Sequence, residues 1–355
     1  MLKCDVLVVG AGPAGSSAAF FLKYLDKENK FNVTLIDSLN ENQFVKYHRI
    51  CGECISNEFF KEINPLKPTN IIEKINCIKE YWPGDIVTQD KIKGFIVNRS
   101  SFLRNIIEKF KDTGGKFVID TVVDISQNKN FVKVKTKKII KCNYVIAADG
   151  ANSIIRNKLK IKPGIIQKAV QYIVDEEPAN HNVIEIFYDE KYKGNYKWVF
   201  PNGNTTKIGF PILNNFIFKI NKKVLEKQIR SIGCGRISNY VKGKILLIGD
   251  AACQANILTK GGIRPGMVAG KMAAESLIEG NPLNYEKKWK KTKYASPLLK
   301  IAYNKFSKMS NKELYDCVKP FSSRFYILNL LKLFLINRKY KNIYKAFNLA
   351  NEFGW

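Results

Sequence analysis

A chain of 355 residues has room for one large domain or two ordinary ones around a real hydrophobic core. At 45% hydrophobic and 25% charged residues it is globular in composition, which excludes a disordered chain. The net charge of +28 fits a lysine-rich surface solvated throughout, or one that attracts anionic lipid headgroups, an acidic redox partner or nucleic acid; nothing resembles a nucleic-acid module, so no nucleic acid is expected.

In chain order, Met1–Gly10 enters a strand pattern directly, with no cleavable apolar segment behind a basic start, so no signal peptide is expected. "CDVLVVGAGPAGSSAAFFLKYL" reads as a buried strand, a glycine turn and a helix rich in small residues, and "FNVTLIDS" as a second strand closed by Asp37. "HRICGECIS" follows, with one of the chain's two histidines and a C-x-x-C pair. A zinc site usually needs four ligands, and this pair has no second pair at matching spacing, so no metal is expected. A thioredoxin-type exchange site is not supported beyond the second strand of such a domain. A reversible Cys51–Cys54 disulfide stays open. The eight cysteines, scattered through a large chain, point to a reducing cytoplasm with mostly free thiols.

"SSFLRNIIEKFKDTGG" has helical spacing stopped by its paired glycines. Short strand-like runs follow in "KFVIDTVVDI", "FVKVKTK" and "YVIAADG". Between about 165 and 212, "AVQYIVDEE", "VIEIFYDE", "YKWVFPN" and "TKIGFPIL" read as antiparallel strands. "KILLIGDAA" returns to a buried strand meeting a turn, and helical patterns dominate from about 262. Nucleotide-domain pieces are thus interleaved with a β-rich segment, which predicts two discontinuous domains. "FYILNLLKLFLI", Phe325 to Ile336, is too short to span a bilayer. A basic amphipathic helix on a membrane surface and a core-packing helix with a solvated lysine face both fit it.

The chemistry lies in three glycine-acid motifs. Gly10-Ala11-Gly12-Pro13-Ala14-Gly15 follows a strand and opens a helix, the context a dinucleotide fingerprint requires. Gly10 permits the tight turn, Gly12 lets the backbone approach a diphosphate, Gly15 lets the helix pack on the sheet, and Asp37 can bind ribose hydroxyls. In "IGDAACQANILTKGGIRPG", Asp250 can accept a hydrogen bond from a sugar-like hydroxyl, and Gly261 and Gly262 allow the backbone close to a planar ligand. "AADGANSIIR" again sets an acid, Asp149, and a glycine after an apolar strand; alone it reads as a turn with an N-cap serine.

In this order the motifs resemble the FAD-binding oxidoreductases of the para-hydroxybenzoate hydroxylase fold. Within that group the chain most resembles the geranylgeranyl reductase family, which includes archaeal digeranylgeranylglycerophospholipid reductases. "RICGECIS" stands where that family has its cysteine-glycine segment, "YKWVFPNGNTTKIGF" resembles its Tyr-x-Trp-x-Phe-Pro stretch, and "TKGGIR" resembles its flavin loop. The resemblance covers roughly Met1 to Gly280. It implies an α/β, two-domain fold: a Rossmann-like FAD-binding domain (1–45, 95–160, 240–280), a smaller antiparallel-sheet substrate domain (46–94, 161–239) and a helical C-terminal region (281–355). It also implies a cofactor set of Gly10, Gly12, Pro13, Ala14, Gly15, Asp37, Arg49, Cys51, Gly52, Arg99, Asp149, Asp250, Gly261, Gly262 and Ile263. Tyr196, Trp198, Phe200 and Pro201 belong to the substrate domain near the flavin, with strand packing as the alternative role of Trp198. Cys253, Ile257 and Lys260 depart from the family, where glycine, proline and glycine are common.

The implied reaction is the FAD-dependent reduction of isolated C=C bonds in prenyl chains, in archaeal-type membrane lipid synthesis. It needs an apolar tunnel, excluded water and a placed proton donor, for which Cys51 is the candidate. The partners implied are a prenyl lipid, a reduced donor (ferredoxin or nicotinamide) and peripheral membrane contact. A flavin monooxygenase, a flavoprotein passing electrons to quinone, and a non-enzymatic basic surface protein are the competing readings.

Overall fold

The computed structural model describes residues 2–214, 217–321 and 338–352. The apolar run of Phe325–Ile336 lies outside the described residues. Two eight-stranded sheets organise the chain.

The first sheet runs in the order Val241–Lys242, Ile245–Leu247, Ile139–Ala147, Leu2–Val9, Val33–Asp37 and Lys116–Ile119, with the Asp124–Gln127/Val132–Lys135 hairpin attached to Ile139–Ala147. From Ile245–Leu247 to Lys116–Ile119 its pairs are parallel. Helices cover parallel sheets on both faces, which is why these strands read as unbroken apolar runs rather than alternations. Val6, Leu7, Val8, Leu35, Val145, Ile146 and Leu246 are all buried in one core.

Helix Pro13–Leu25 starts with Pro13 in its first turn, where the missing N–H costs nothing. Its small residues let helix Ile263–Ile278 approach closely. A Cβ on Gly270 would meet Ala14 O at 2.4 Å, and Ser17 Oγ donates to Met267 O at 2.7 Å. The close crossing draws the second glycine-acid motif against the first.

The second sheet runs Val224–Cys234, Ile165–Val174, Thr205–Ile212, Lys197–Asn202, Val183–Phe187, Ile71–Trp82, Ile86–Val97, Cys54–Ser56. The expected antiparallel strands are there, with one difference. Val183–Phe187 pairs antiparallel with Lys197–Asn202 on one side but parallel with Ile71–Trp82 on the other. The long hairpin of Ile71–Trp82 and Ile86–Val97 fills that side of the sheet, so the segment from 165 onward docks on strands made much earlier.

The C-terminal helices Pro297–Phe306, Asn311–Val318 and Lys341–Glu352 cover this sheet. Leu299, Ala302, Phe306, Leu314, Ile343 and Ala346 share a core with Ile78, Ile184, Ile186 and Tyr196. The tail, which carries no motif, thereby builds the backing behind Tyr196. Among the described residues no helix is long and apolar enough to cross a membrane.

Candidate functional site

The glycine turn is a backbone necessity. Gly10 sits at φ +96°, and a Cβ there would stand 2.4 Å from Ala148 O. A Cβ on Gly15 would stand 1.8 Å from Gly10 O, so the helix could not begin where it does. Gly12 differs: its Cβ position is open except for His48 Cε1 at 3.6 Å, and it faces the cavity. The turn thus presents bare backbone and a helix N-terminus to an anion. Asp37, at the end of the second strand, accepts from Ala11 N at 2.6 Å and from Leu39 N at 2.8 Å. Burial raises its carboxyl above the ordinary range, and these backbone N–H groups oppose the rise. Asp37 therefore braces the turn while retaining lone pairs for a ribose.

The cysteine-glycine loop is clamped from inside. Arg99, 3% exposed at the start of helix Arg99–Asp112, donates through Nε to His48 O at 2.6 Å and through Nη2 to Ile50 O at 3.4 Å. Its own amide donates to Glu53 Oε1 at 3.0 Å, while Glu53 Oε2 pairs with Lys207 Nζ. The Glu53 and Lys207 side chains are fully buried, and Glu53 holds a left-handed backbone at φ +62°. Gly52 is required because a Cβ there would strike the Phe200 ring at 2.5 Å. Gly52 is thus pressed against the aromatic strand, with Cys51 beside it. All eight cysteines are free thiols. Burial pushes the Cys54 thiol up to about 12, so it stays protonated at neutral pH.

One cavity of about 480 Å³ runs from Gly10, Gly12 and Pro13 past Cys51 and Arg99 to Tyr196, Trp198 and Phe200. The aromatic wall is fitted residue to residue. Trp198 lies opposite Gly209 on the neighbouring strand, where a Cβ would stand 1.8 Å from the indole. The indole Nε1 donates to Gln171 Oε1 at 3.2 Å, and Gln171 Nε2 donates to Gln228 Oε1 at 2.8 Å. Tyr196 OH donates to Thr259 O, tying this wall to the Gly261-Gly262 loop.

That loop is shaped by Asn256, whose amide donates to Gly261 O at 3.0 Å and whose carbonyl accepts from Lys260 N at 2.8 Å. Lys260 and Cys253 adopt left-handed backbone, φ +58° and +52°, so the two glycine-to-side-chain departures keep a glycine-like conformation. Lys260 Nζ donates to Ile257 O and lies 4.5 Å from the Tyr303 ring centroid. Burial lowers its ammonium to about 8.

Pro13, Ala14, Asp37, Cys51, Gly52, Arg99, Asp149, Asp250, Gly261, Gly262, Ile263, Tyr196 and Trp198 line the cavity together with Gly10 and Gly12. Gly15 does not, because its part is to admit the helix. Asp149 lines it, yet both its oxygens are engaged: Ser153 Oγ donates to Oδ1 at 2.6 Å and Ile155 N to Oδ2 at 3.1 Å. Beyond it, Arg156 donates to Ala251 O at 3.0 Å and Ala151 O at 2.7 Å, clasping the third motif to the second.

Arg49, the C-cap of helix Glu41–His48 at φ −86°, does not line the cavity, and its Nε is buried without a partner among the described residues. His48 and Arg230 line the cavity, and sequence reasoning missed both. Arg230 stands 4.9 Å over Tyr47, and its Nη1 is buried without a partner among the described residues. Burial raises the Asp250 carboxyl, against the nearby Arg230. Alternation along Val224–Cys234 gives no signal for Arg230, since Leu225 and Ile229 on the opposite face are exposed.

The model for the pyridine nucleotide-disulphide oxidoreductase family matches residues 4–184. A digeranylgeranylglycerophospholipid reductase of Methanocaldococcus jannaschii is 29% identical, across 87% of this chain and 88% of its own. Digeranylgeranylglycerophospholipid reductase 1 of Methanosphaera stadtmanae is 30% identical, across 87% of this chain and 82% of its own. Among solved structures, a geranylgeranyl bacteriochlorophyll reductase-like protein of Thermoplasma acidophilum superposes with a TM-score of 0.80 at 21% identity, covering 98% of this chain and 100% of that one.

Proposed function

The chain belongs to the pyridine nucleotide-disulphide oxidoreductase and digeranylgeranylglycerophospholipid reductase families of flavin oxidoreductases, and on that premise we propose that it binds FAD and reduces isolated C=C bonds in the prenyl chains of archaeal-type membrane lipids. One observation carries the reading. A single cavity joins a diphosphate-ready glycine turn to an aromatic wall, with a free thiol, Cys51, between them.

The residues present fit the dinucleotide. Gly12 leaves a cradle that a Cβ would fill, and buried unpartnered nitrogens on His48 and Arg230 belong to side chains lining the same cavity. The helix N-terminus at Pro13 would take the diphosphate, Asp37 the ribose, and the Gly261-Gly262 backbone the ring system. When bound and reduced, FAD supplies a hydride equivalent.

The protein's own part is to orient the alkene and deliver a proton. An isolated alkene accepts a hydride only as a proton reaches its less substituted carbon, so the donor must sit at the substrate. Cys51 would be that donor, and the fit of Gly52 against Phe200 with the Arg99 clamp on Ile50 O supports it by fixing the loop on both sides of the thiol. A thiol gives up a proton more readily than an alcohol, which suits a general acid in an apolar site. Tyr196, Trp198 and Phe200, which line the cavity, would exclude water along the prenyl chain's path. The net charge of +28 favours an acidic carrier protein as the electron source and an anionic membrane surface as the place of work.

The test is direct. The purified protein is examined for a flavin spectrum, reduced with dithionite and incubated with a geranylgeranyl lipid. Mass gains of two units per double bond are expected. A flavin-loaded protein that leaves the chains unsaturated while hydroxylating a substrate or reducing a quinone would overturn the reading.

A further inference from the structure

His48 is the least explained group in the cavity. It closes helix Glu41–His48 and is 2% exposed. A neutral imidazole carries one N–H donor and one bare acceptor. Neither Nδ1 nor Nε2 has a hydrogen-bond partner among the described residues. Buried polar atoms are almost always satisfied, so such a ring points to a ligand or water that completes it.

The ring is firmly placed. It packs on Phe44 at 4.2 Å between centroids and edge-on to Tyr47 at 5.1 Å, while Arg99 Nε holds the His48 carbonyl at 2.6 Å. Its Cε1 lies 3.6 Å from where a Cβ on Gly12 would stand, so the imidazole sits over the glycine turn. Burial first, then the positive Arg99 and Arg230, push the imidazole well below its ordinary value, which keeps it neutral at physiological pH.

We propose that His48 is a ligand of the dinucleotide, hydrogen-bonded at the junction of its diphosphate with the adjoining sugar chain. This rests on the reading of the cavity as an FAD site. Phosphate oxygens only accept, so a phosphate alone satisfies one nitrogen and strands the other. The diphosphate–sugar junction offers both an accepting oxygen and a donating hydroxyl within one ligand. Arg99 acts differently, because two of its nitrogens are engaged on His48 O and Ile50 O and so position the ring. Because the imidazole is neutral, its contribution is directional and should be insensitive to salt, unlike that of a cation.

The test compares full-length apoprotein of the parent, His48→Phe and His48→Gln, titrated with FAD and with ADP. His48→Phe keeps a ring against Phe44 and Tyr47 but carries no nitrogen. It should weaken FAD by about tenfold to a hundredfold and ADP, which offers only the accepting diphosphate, by less, with an unchanged salt dependence. The apoprotein should melt no lower than the parent, because two unsatisfied buried atoms are gone. His48→Gln should regain part of the affinity. A purely structural histidine gives the opposite pattern, a lower apoprotein Tm at unchanged affinity. Weakened FAD with unchanged ADP would overturn the placement at the diphosphate.

A second measurement leaves His48 itself unsubstituted. The chain has two histidines, so a His181→Asn background leaves one ring to observe by nitrogen NMR. FAD should shift both His48 ring resonances, and unshifted signals would sink the proposal. A parent protein that takes up no FAD at all would instead refute the reading of the cavity.

Discussion

The two walls of the cavity are built differently. The nucleotide wall is local: Gly10, Gly12, Gly15 and Asp37 belong to one strand–turn–helix–strand unit fixed by backbone geometry. The opposite wall is a convergence. Cys51 comes from a loop, Tyr196 and Trp198 from strand Lys197–Asn202 and its approach, and Lys260 from another loop, backed by Tyr303 of the C-terminal helices. Each is held by side-chain contacts across long sequence separations. Damage to the first wall should therefore remove the cofactor, and damage to the second should change chemistry while leaving the cofactor bound.

The sharpest break is Gly15→Ala, whose new Cβ would stand 1.8 Å from Gly10 O and 3.1 Å from the Ala148 Cβ. A loss of about 4 kcal/mol or more and a colourless protein are expected, read by denaturant titration and absorbance. Gly12→Ala sharpens the point: the nearest atom is 3.6 Å away, so the Tm should hold while FAD affinity falls. Next is Glu53→Ala, which strands the buried Lys207 ammonium and frees the Arg99 amide. About 3–5 kcal/mol should be lost, and the double variant Glu53→Gln/Lys207→Met should recover much of it in the same titration.

On the aromatic wall, Cys51→Ser should keep full flavin content and lose turnover by about a hundredfold, the scale of a displaced general acid. Full turnover in single-turnover kinetics would remove Cys51 from proton delivery. Gly209→Ala should cost less, about 1–3 kcal/mol, by pushing the Trp198 indole from its seat. Its effect belongs in KM and in which double bonds are reduced, with FAD affinity unchanged.

This contrast also explains what the sequence could reveal. The glycine turn was readable because its requirements are contiguous, and so was the Tyr196–Phe210 stretch, where Gly209 makes room for Trp198 one strand away. The hairpin of Ile71–Trp82 and Ile86–Val97 was not, since irregular pairing between Ile71 and Glu73 and between Ile75 and Cys77 breaks its alternation. Placing His48 required knowing that the helix ends there, which sets its Cε1 3.6 Å from where a Cβ on Gly12 would stand. The Glu53–Lys207 pair joins positions 154 residues apart, and no local pattern announces it. The parallel pairing of Val183–Phe187 depended on that unread hairpin.

The smallest effect tests Lys260, where the aromatic wall carries a charge. Its ammonium is lowered to about 8 from an ordinary 10.5 by burial, with Cys234 opposing. Across that window the unfolded chain binds the proton that the folded chain has released, so stability from this site rises as pH climbs from about 8 to 10.5. Below the window the half-buried cation costs the fold its full penalty. Lys260→Met removes the titration while leaving a side chain at φ +58°, so backbone strain cancels in the comparison. The variant should be more stable at pH 7 by about 1 kcal/mol, a figure reduced for the solvent that still reaches the group. That advantage should shrink across the window in melting curves against pH. A constant difference would mean that Lys260 does not titrate there. It would then leave Lys260 as an ordinary cation resting on Tyr303, and the second wall as wholly a matter of shape.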